Sequence, residues 1–409
     1  MKILILHNYY KQQGGEDSTV QRETALLSAA GHHISTYFRY NQDIDQGSFL
    51  AKVATASQAI WARDSYQELG ALLKQEKPDL AHFHNTFPLI SPSAYYACRD
   101  ADVPIVQTLH NYRLFCAPGT FFRDGSVCEE CLEHSLWSGV RHGCYRDSRS
   151  ATAAIALTLA THRKLRTLER IVDCFITPTE FVRRKVVAAG LPHDKIFVKP
   201  NFVDPDPGER GSTGEYAIFV GRMTGEKGLR TLISAWTLLE RRVPLVIVGD
   251  GPLRRELEQE AMQQGMTHIV FKGYLPNADT IRTIKGAKFL VFPSEWYETF
   301  GTTIVEAFAC GVPVLSSKLG AMQEIVADGQ TGLHFNAGDP GNLAAKVSWA
   351  WSHGSEMQEM GRTARLEYET KYTPNRNYDL LMTAYDLALR GVDTGLERLA
   401  LRSGQIRLT

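Results

Sequence analysis

The chain has 409 residues, enough for two ordinary domains with separate cores. Lys+Arg and Asp+Glu are equal at 45 each, so no net charge draws the whole chain to nucleic acid or to acidic surfaces. No apolar run reaches the ~18 residues of a membrane-spanning helix. Met1–His7 is too short for a signal peptide and lacks a small-residue cleavage site, so a cytoplasmic location is expected.

In chain order, Lys2–Leu6 reads as a buried strand. Ser18–Ala30 reads as a helix, with Ser18 placed to cap it and Gly31 just past its end. Ile34–Phe38, Asp79–His84 and Pro104–Leu109 read as strands, Ile155–Val172 as a helix, and Cys174–Thr177 and Phe197–Pro200 as strands. Residues 204–214, DPDPGERGSTG, have linker composition, so the expected division is 1–203, a linker over 204–214, 215–374 and a terminal piece over 375–409. The second half alternates again. Its strands are Tyr216–Val220, Leu245–Val248, Ile269–Lys272, Phe289–Phe292, Val312–Leu315 and Gly332–Phe335. Its helices lie near Leu229–Glu240, Leu253–Gln264, Ala278–Lys285, Thr302–Cys310, Met322–Ala327 and Asn342–Trp351. Short apolar strands separated by helices predict an α/β protein with two doubly wound, parallel-sheet (Rossmann-like) domains facing a cleft. A terminal helix, Asn375–Leu389, precedes a basic tail, Arg398–Thr409, expected to be poorly ordered.

Strand Tyr216–Val220 runs into Gly221-Arg222-Met223-Thr224-Gly225-Glu226-Lys227-Gly228. A glycine-rich turn with two cations, between a strand and a helix, suits a phosphate: Arg222 can fork onto two oxygens and Lys227 supplies a point charge. The Walker spacing is absent, and a solvated basic turn is the plain alternative. After Phe289–Phe292, the segment Glu298-Thr299-Phe300-Gly301-Thr302 opens a helix whose free amides suit an anion. Glu306 is expected about two turns inside it. Glu298 and Glu306 could grip hydroxyls, and a surface role for Glu306 conflicts with its apolar neighbours Ile304, Val305, Ala307 and Phe308.

Glu298-x7-Glu306 together with Gly221-Arg222…Glu226-Lys227-Gly228 resembles the retaining glycosyltransferases of family 4, which have the GT-B fold. Gly14-Gly15-Glu16, Pro200-Asn201-Phe202-Val203-Asp204, Gly249-Asp250-Gly251-Pro252 and Phe271-Lys272-Gly273-Tyr274 agree in order along nearly the whole chain. The resemblance implies a hexosyltransferase-type enzyme that takes a UDP- or GDP-linked sugar to a glycan or lipid-linked acceptor, in bacterial surface polysaccharide synthesis. It implies that Arg222 and Lys227 bind the diphosphate and that Glu306 holds the ribose. Glu298 and the amides of Phe300, Gly301 and Thr302 would hold the sugar, and the backbone near Tyr274 and Leu275 would edge the base. Gly15 would meet the donor phosphate. Gly14, Glu16, His84 and Asn111 would border the acceptor, and His110, at the end of a strand, would contact the sugar ahead of His84, with His7 lower. His82 lies near the same strand end as His84. The implied chemistry needs no metal, and the terminal helix would cross back to the first domain.

Cys116-x11-Cys128-x2-Cys131-x12-Cys144, inside Ala117–Asp147 and its flank, fits a structural four-thiolate zinc site; the alternative is free thiols in a mobile loop. His162-Arg163-Lys164-Leu165-Arg166, Arg170 and Arg183-Arg184-Lys185, after the apolar run Ser150–Ala160, read either as a core helix with a solvated end or as a peripheral contact with the inner membrane face. A non-catalytic sugar-nucleotide binder and an epimerase on the same fold remain the rival readings, and a nucleic-acid partner is not expected.

Overall fold

A computed structural model describes residues 1–10, 14–43, 57–212 and 214–402, with the backbone alone for 43 and 391–402. The first half contains β1 (Lys2–Tyr9), β2 (His33–Tyr40), β3 (Leu80–Phe83), β4 (Ile105–Thr108), a small hairpin of β5 (Phe122–Arg123) and β6 (Ser126–Val127), β7 (Cys174–Thr177) and β8 (Ile196–Val198). Six of these form a sheet in the order β2-β1-β3-β4-β7-β8 with every pairing parallel. The second half contains β9 (Tyr216–Val220), β10 (Leu245–Val248), β11 (Ile269–Gly273), β12 (Ala287–Phe292), β13 (Val314–Ser317) and β14 (Gly332–Phe335), in the order β11-β10-β9-β12-β13-β14, again all parallel. The strand order reverses beside β1 and β3 in one sheet and beside β9 and β12 in the other. Ligands of doubly wound sheets bind beyond the carboxyl ends of strands at such switch points, and the expected donor and acceptor residues follow these four strands, β4 and β11.

Strands such as Leu245–Val248 are buried along their whole length, as an apolar run without alternation requires. Helices on one face of the second sheet enclose Leu232, Trp236, Leu257 and Val347. The helix Thr302–Ala309 encloses Ile304, Val305 and Phe308 on the other face. The helix Pro374–Arg402 leaves the second domain and crosses back to the first. Leu381, Ala384, Tyr385 and Ala388, at helical spacing, pack on Ile3, Ile5, Val20 and Ile176. At the junction Arg365 holds Asp206 by two 2.7 Å bonds, and Val203 N–H donates to Tyr372 O.

Several element boundaries differ from expectation. The first helix runs Gly15–Ala29, so Gly14, not Ser18, is its cap, and the Asp17 carboxylate accepts the Gly14 N–H at 2.8 Å. Ile155–Val172 is two helices, Arg149–Lys164 and Thr167–Ile171, broken where Arg166 takes a left-handed φ of 54°. The amphipathic helix Gly354–Lys371, which buries Met357, Met360, Ala364 and Tyr368, was not foreseen because its sequence is mostly polar. The terminal helix continues to Arg402, through the first residues of the expected basic tail; 403–409 lie outside the described residues. Among the described residues no helix is long and apolar enough to cross a membrane.

Candidate active site

Gly221–Gly228 forms a tight turn from β9 into the helix Leu229–Thr237. Gly228 has φ +69°, and a Cβ there would lie 1.9 Å from Pro293 O, so only glycine lets this turn press against the end of β12. Gly249 is under the same constraint: a Cβ would lie 1.9 Å from Gly221 O, because the loop after β10 stacks on the phosphate-type turn.

That packing brings Lys227 to the carboxyl end of β12. Its Nζ donates to Glu298 Oε1 at 2.5 Å, and Ser294 Oγ donates to the same oxygen at 2.7 Å. Lys227 also stands 5.2 Å from the Trp296 ring centre, a cation–π contact. The two residues expected to hold phosphate and sugar therefore pair with each other. Arg222 is different. Its side chain is 63% exposed and only loosely placed, 3.8 Å from Glu226, so it is free to turn toward an anion.

Gly301, with φ +78°, caps the helix Thr302–Ala309, and Phe300 is buried beneath it. Glu306 is the fifth residue of this eight-residue helix, nearer its start than the expected two turns. It is buried, and its Oε1 lies 3.5 Å from both Arg22 Nη2 and Asn277 Nδ2. Burial raises its carboxyl pKa, and Arg22 and Asn277 pull it back down. Tyr274 is exposed and Leu275 half-buried, on the loop after β11.

The first domain meets this surface. A Cβ on Gly15 would lie 4.0 Å from Thr302 Oγ1, so the Gly14-Gly15 turn approaches the start of the donor-side helix. Thr299 Oγ1 donates to His110 O at 2.9 Å, and Thr179 Oγ1 to Thr299 O at 3.2 Å. His110, from the end of β4, is thus held beside the residue that follows Glu298. Asn111 Nδ2 donates to Glu16 Oε2 at 3.1 Å. Burial and the neighbouring Asp17 push the Glu16 carboxyl up to about 8, against the pull of Arg113 and Asn111.

His84, expected to border the acceptor, is buried behind His110. It is a buried second layer whose Nδ1 bonds His110 Nε2 at 2.9 Å. Behind it, Glu23 Oε2 lies 3.9 Å from His84 Nε2, and Glu23 Oε1 accepts Lys199 Nζ at 2.5 Å. His82 bonds Tyr385 of the terminal helix and Thr108. His7 bonds Asp17 at 2.8 Å. Burial lowers His84 and His110 well below their ordinary pKa and takes His82 to about 3, so all three are neutral at pH 7. A small recess of about 60 Å³ opens beside this layer, lined by His84, His110, Asn111 and Arg113 with Leu114 and Leu159.

Sequence reasoning missed Arg22, Glu23, Lys199, Asn277 and Ser294. One signal was available. Arg22 lies seven residues after Gly15, on the same helix face, and Glu23 lies four after the buried Thr19. Lys199 and Asn277 gave none, because only tertiary packing brings them in.

The four clustered cysteines are unbridged and line one small recess. Of the basic run, His162 is buried and bonds Thr167 and Ile60, while Arg166 pairs with Glu169, Arg183 with Glu180 and Lys185 with Glu129. Ile155 and Ala156 of the apolar run are core residues, so this stretch packs largely as a core helix.

Two parallel-sheet domains, each with a switch point between its strands, are the architecture that the comparison with known proteins also finds. Residues 14–207 match Glycosyltransferase Family 4 and residues 204–367 match Glycosyl transferases group 1. The chain belongs to this glycosyltransferase family and has the GT-B fold. It is 29% identical over 221 residues to the D-rhamnosyltransferase WbpZ of Pseudomonas aeruginosa, a match that covers 52% of this chain and only 57% of that protein. It is 27% identical to the uncharacterized glycosyltransferase MJ1607 of Methanocaldococcus jannaschii, over 80% of each chain. Among solved structures, Anabaena Alr3699/HepE in complex with UDP superposes with a TM-score of 0.68 at 18% identity, covering 94% of this chain and all of the other.

Proposed function

We propose that this protein is a retaining glycosyltransferase that moves a hexose from a UDP- or GDP-sugar to a glycan or lipid-linked acceptor during bacterial surface polysaccharide synthesis. The observation that carries the reading is the Lys227–Glu298 pair, at the mouth of the cleft and beside the His110-holding Thr299. A nucleotide diphosphate sugar offers a replacement for each half of that pair. Its phosphates take Lys227, with Arg222 swinging in, and its sugar hydroxyls take Glu298. Glu306 takes the ribose hydroxyls, and Arg22 exchanges its long contact with Glu306 for the ligand's edge. The WbpZ match and the UDP-bound structural relative support the donor class.

In the proposed reaction the bond from the anomeric carbon to the phosphate oxygen breaks. A bond to the acceptor oxygen forms on the same face, and the acceptor proton passes to the departing phosphate. Arg222, Lys227 and the amides at Thr302 offset the charge that develops there, which removes the need for a divalent ion. Neutral His110, backed by His84, orients the sugar. A thermal-shift screen of UDP-, GDP- and other nucleotide sugars identifies the donor, since specific binding raises stability by mass action. Proton NMR of the product then reads the anomeric configuration. Retained configuration, with no added divalent ion needed for activity, is expected; an inverted product defeats the mechanism, and donor consumption without acceptor favours the epimerase reading.

A further inference from the structure

We propose that Cys116, Cys128, Cys131 and Cys144 bind one zinc(II) ion in a structural tetrathiolate site, and that this site fixes Glu129 at the cleft. The four residues come from four separate places: the turn after β4, the residue following β6, the helix Glu130–Glu133, and the end of the helix Leu136–His142. Despite that separation they line a single recess with Arg123, Glu130 and Gly139. Cys131 lies within electrostatic reach of the other three. The remaining cysteines, 98, 174 and 310, are buried elsewhere.

The local structure needs such a staple. The hairpin has two residues per strand, and the helices have four and seven residues, all below the length at which such elements persist alone. The apolar cluster beneath them is small, with Cys131, Leu136 and Ala156 as its buried members. Of the eight non-glycine residues with positive φ among the described residues, four (Phe121, Asp124, Arg146 and Asp147) lie in this segment. Backbone in that region persists only where its surroundings over-determine it. Short elements with a poor core and strained turns are the setting in which small folds use a metal.

The chemistry fits. Four thiolates around zinc carry a net charge of about −2, and Arg123, which pairs with Glu130 at 2.7 Å, also lies within electrostatic reach of Cys128 and Cys144. No open position remains on the ion, so its role is structural. Among the described residues the one group with three ligand atoms inside 4.8 Å is Glu23, His82 and His84. There Lys199 already neutralises Glu23, and both His82 nitrogens are bonded, which leaves no place for a cation.

The site has a consequence for the cleft. Glu129 sits inside the Cys-x2-Cys knuckle and accepts Lys185 Nζ at 2.5 Å. Lys185 in turn lies 4.8 Å from the centre of the Tyr297 ring, immediately before Glu298. A rigid knuckle therefore braces the donor loop from the first domain.

Elemental analysis of the full chain, purified with zinc supplied and without chelator, tests the proposal. One zinc per chain is expected, falling to near zero in Cys128→Ser/Cys131→Ser. Cobalt substitution should show tetrahedral d–d bands with thiolate charge transfer. Alkylation of the chelated, denatured protein should modify all seven cysteines. Zinc well below one per chain, or fewer than seven alkylated thiols because a disulfide has formed, overturns it. The wild-type metal count and thiol count decide the matter even where the double variant fails to fold.

Discussion

The two domains share a fold and use charge in opposite ways. In the second domain the cations stand at the rim while the carboxylates are buried: the Arg222 side chain is 63% exposed and that of Lys227 16%, whereas Glu298 and Glu306 lie inside. In the first domain the polar groups are taken inside. Glu23 and Lys199 are an ion pair with side chains 1% exposed, and His82 and His84 are buried and neutral. A diphosphate demands mobile cations that it can recruit. Burial is what keeps the first domain's histidines neutral and single in orientation.

The sharpest way to break this comparison is at the rim. Lys227→Ala and Glu298→Ala should each lower kcat/KM by on the order of 10²–10³ or more, the scale of a lost transition-state contact. Both should remain folded by circular dichroism. Near-normal turnover in either would separate the fold from the site assigned to it. Next is the buried pair. Lys199→Ala leaves Glu23 charged and unpaired, which should cost about 3–5 kcal/mol of stability in denaturant unfolding. A loss near zero would mean that water reaches Glu23 and that the interior is wetter than the packing indicates.

The smallest effect concerns Glu16. Its folded-state pKa of about 8 stands above the ordinary 4.5, so folding favours the protonated form. Its contribution is present at low pH and is lost as pH rises from about 4.5 to about 8. Glu16→Gln should therefore gain a few degrees in Tm over wild type at pH 8, of the order expected for 1 kcal/mol or more, with little gain near pH 5. The buried histidines act in the other direction. Their lowered pKa means that wild-type stability is lost as pH falls below about 6.5, where the unfolded chain takes up the protons. A Tm profile of both proteins between pH 5 and 8 separates the two contributions.

Much of the site could be read directly. The glycine-rich turn after β9 and the Glu298-x7-Glu306 spacing are local features, fixed by residues within one loop and one helix. Their positions at strand ends followed from apolar runs that are buried on both faces. Arg22, Asn277 and Lys199 were invisible for the converse reason. Arg22 reaches Glu306 across 284 positions, and Lys199 reaches Glu23 across 176. Helix Gly354–Lys371 was missed because Arg365, Glu367 and Glu369 mask its buried face, although Arg365 itself is buried against Asp206 and Ala309 O.

By itself the sequence determined the two α/β repeats, the cationic turn, the two carboxylates and the knot of cysteines. Each depends on neighbours no further away than a strand, a turn and a helix, and local chain geometry is enough to place them. Only the tertiary structure decided that Lys227 and Glu298 hold each other, that His84 stands behind His110, and that the last helix returns to lock Tyr385 onto His82. Those pairings join residues from different strands or from different domains. Their distances are set by how two sheets and a crossing helix pack, and no spacing along the chain encodes that.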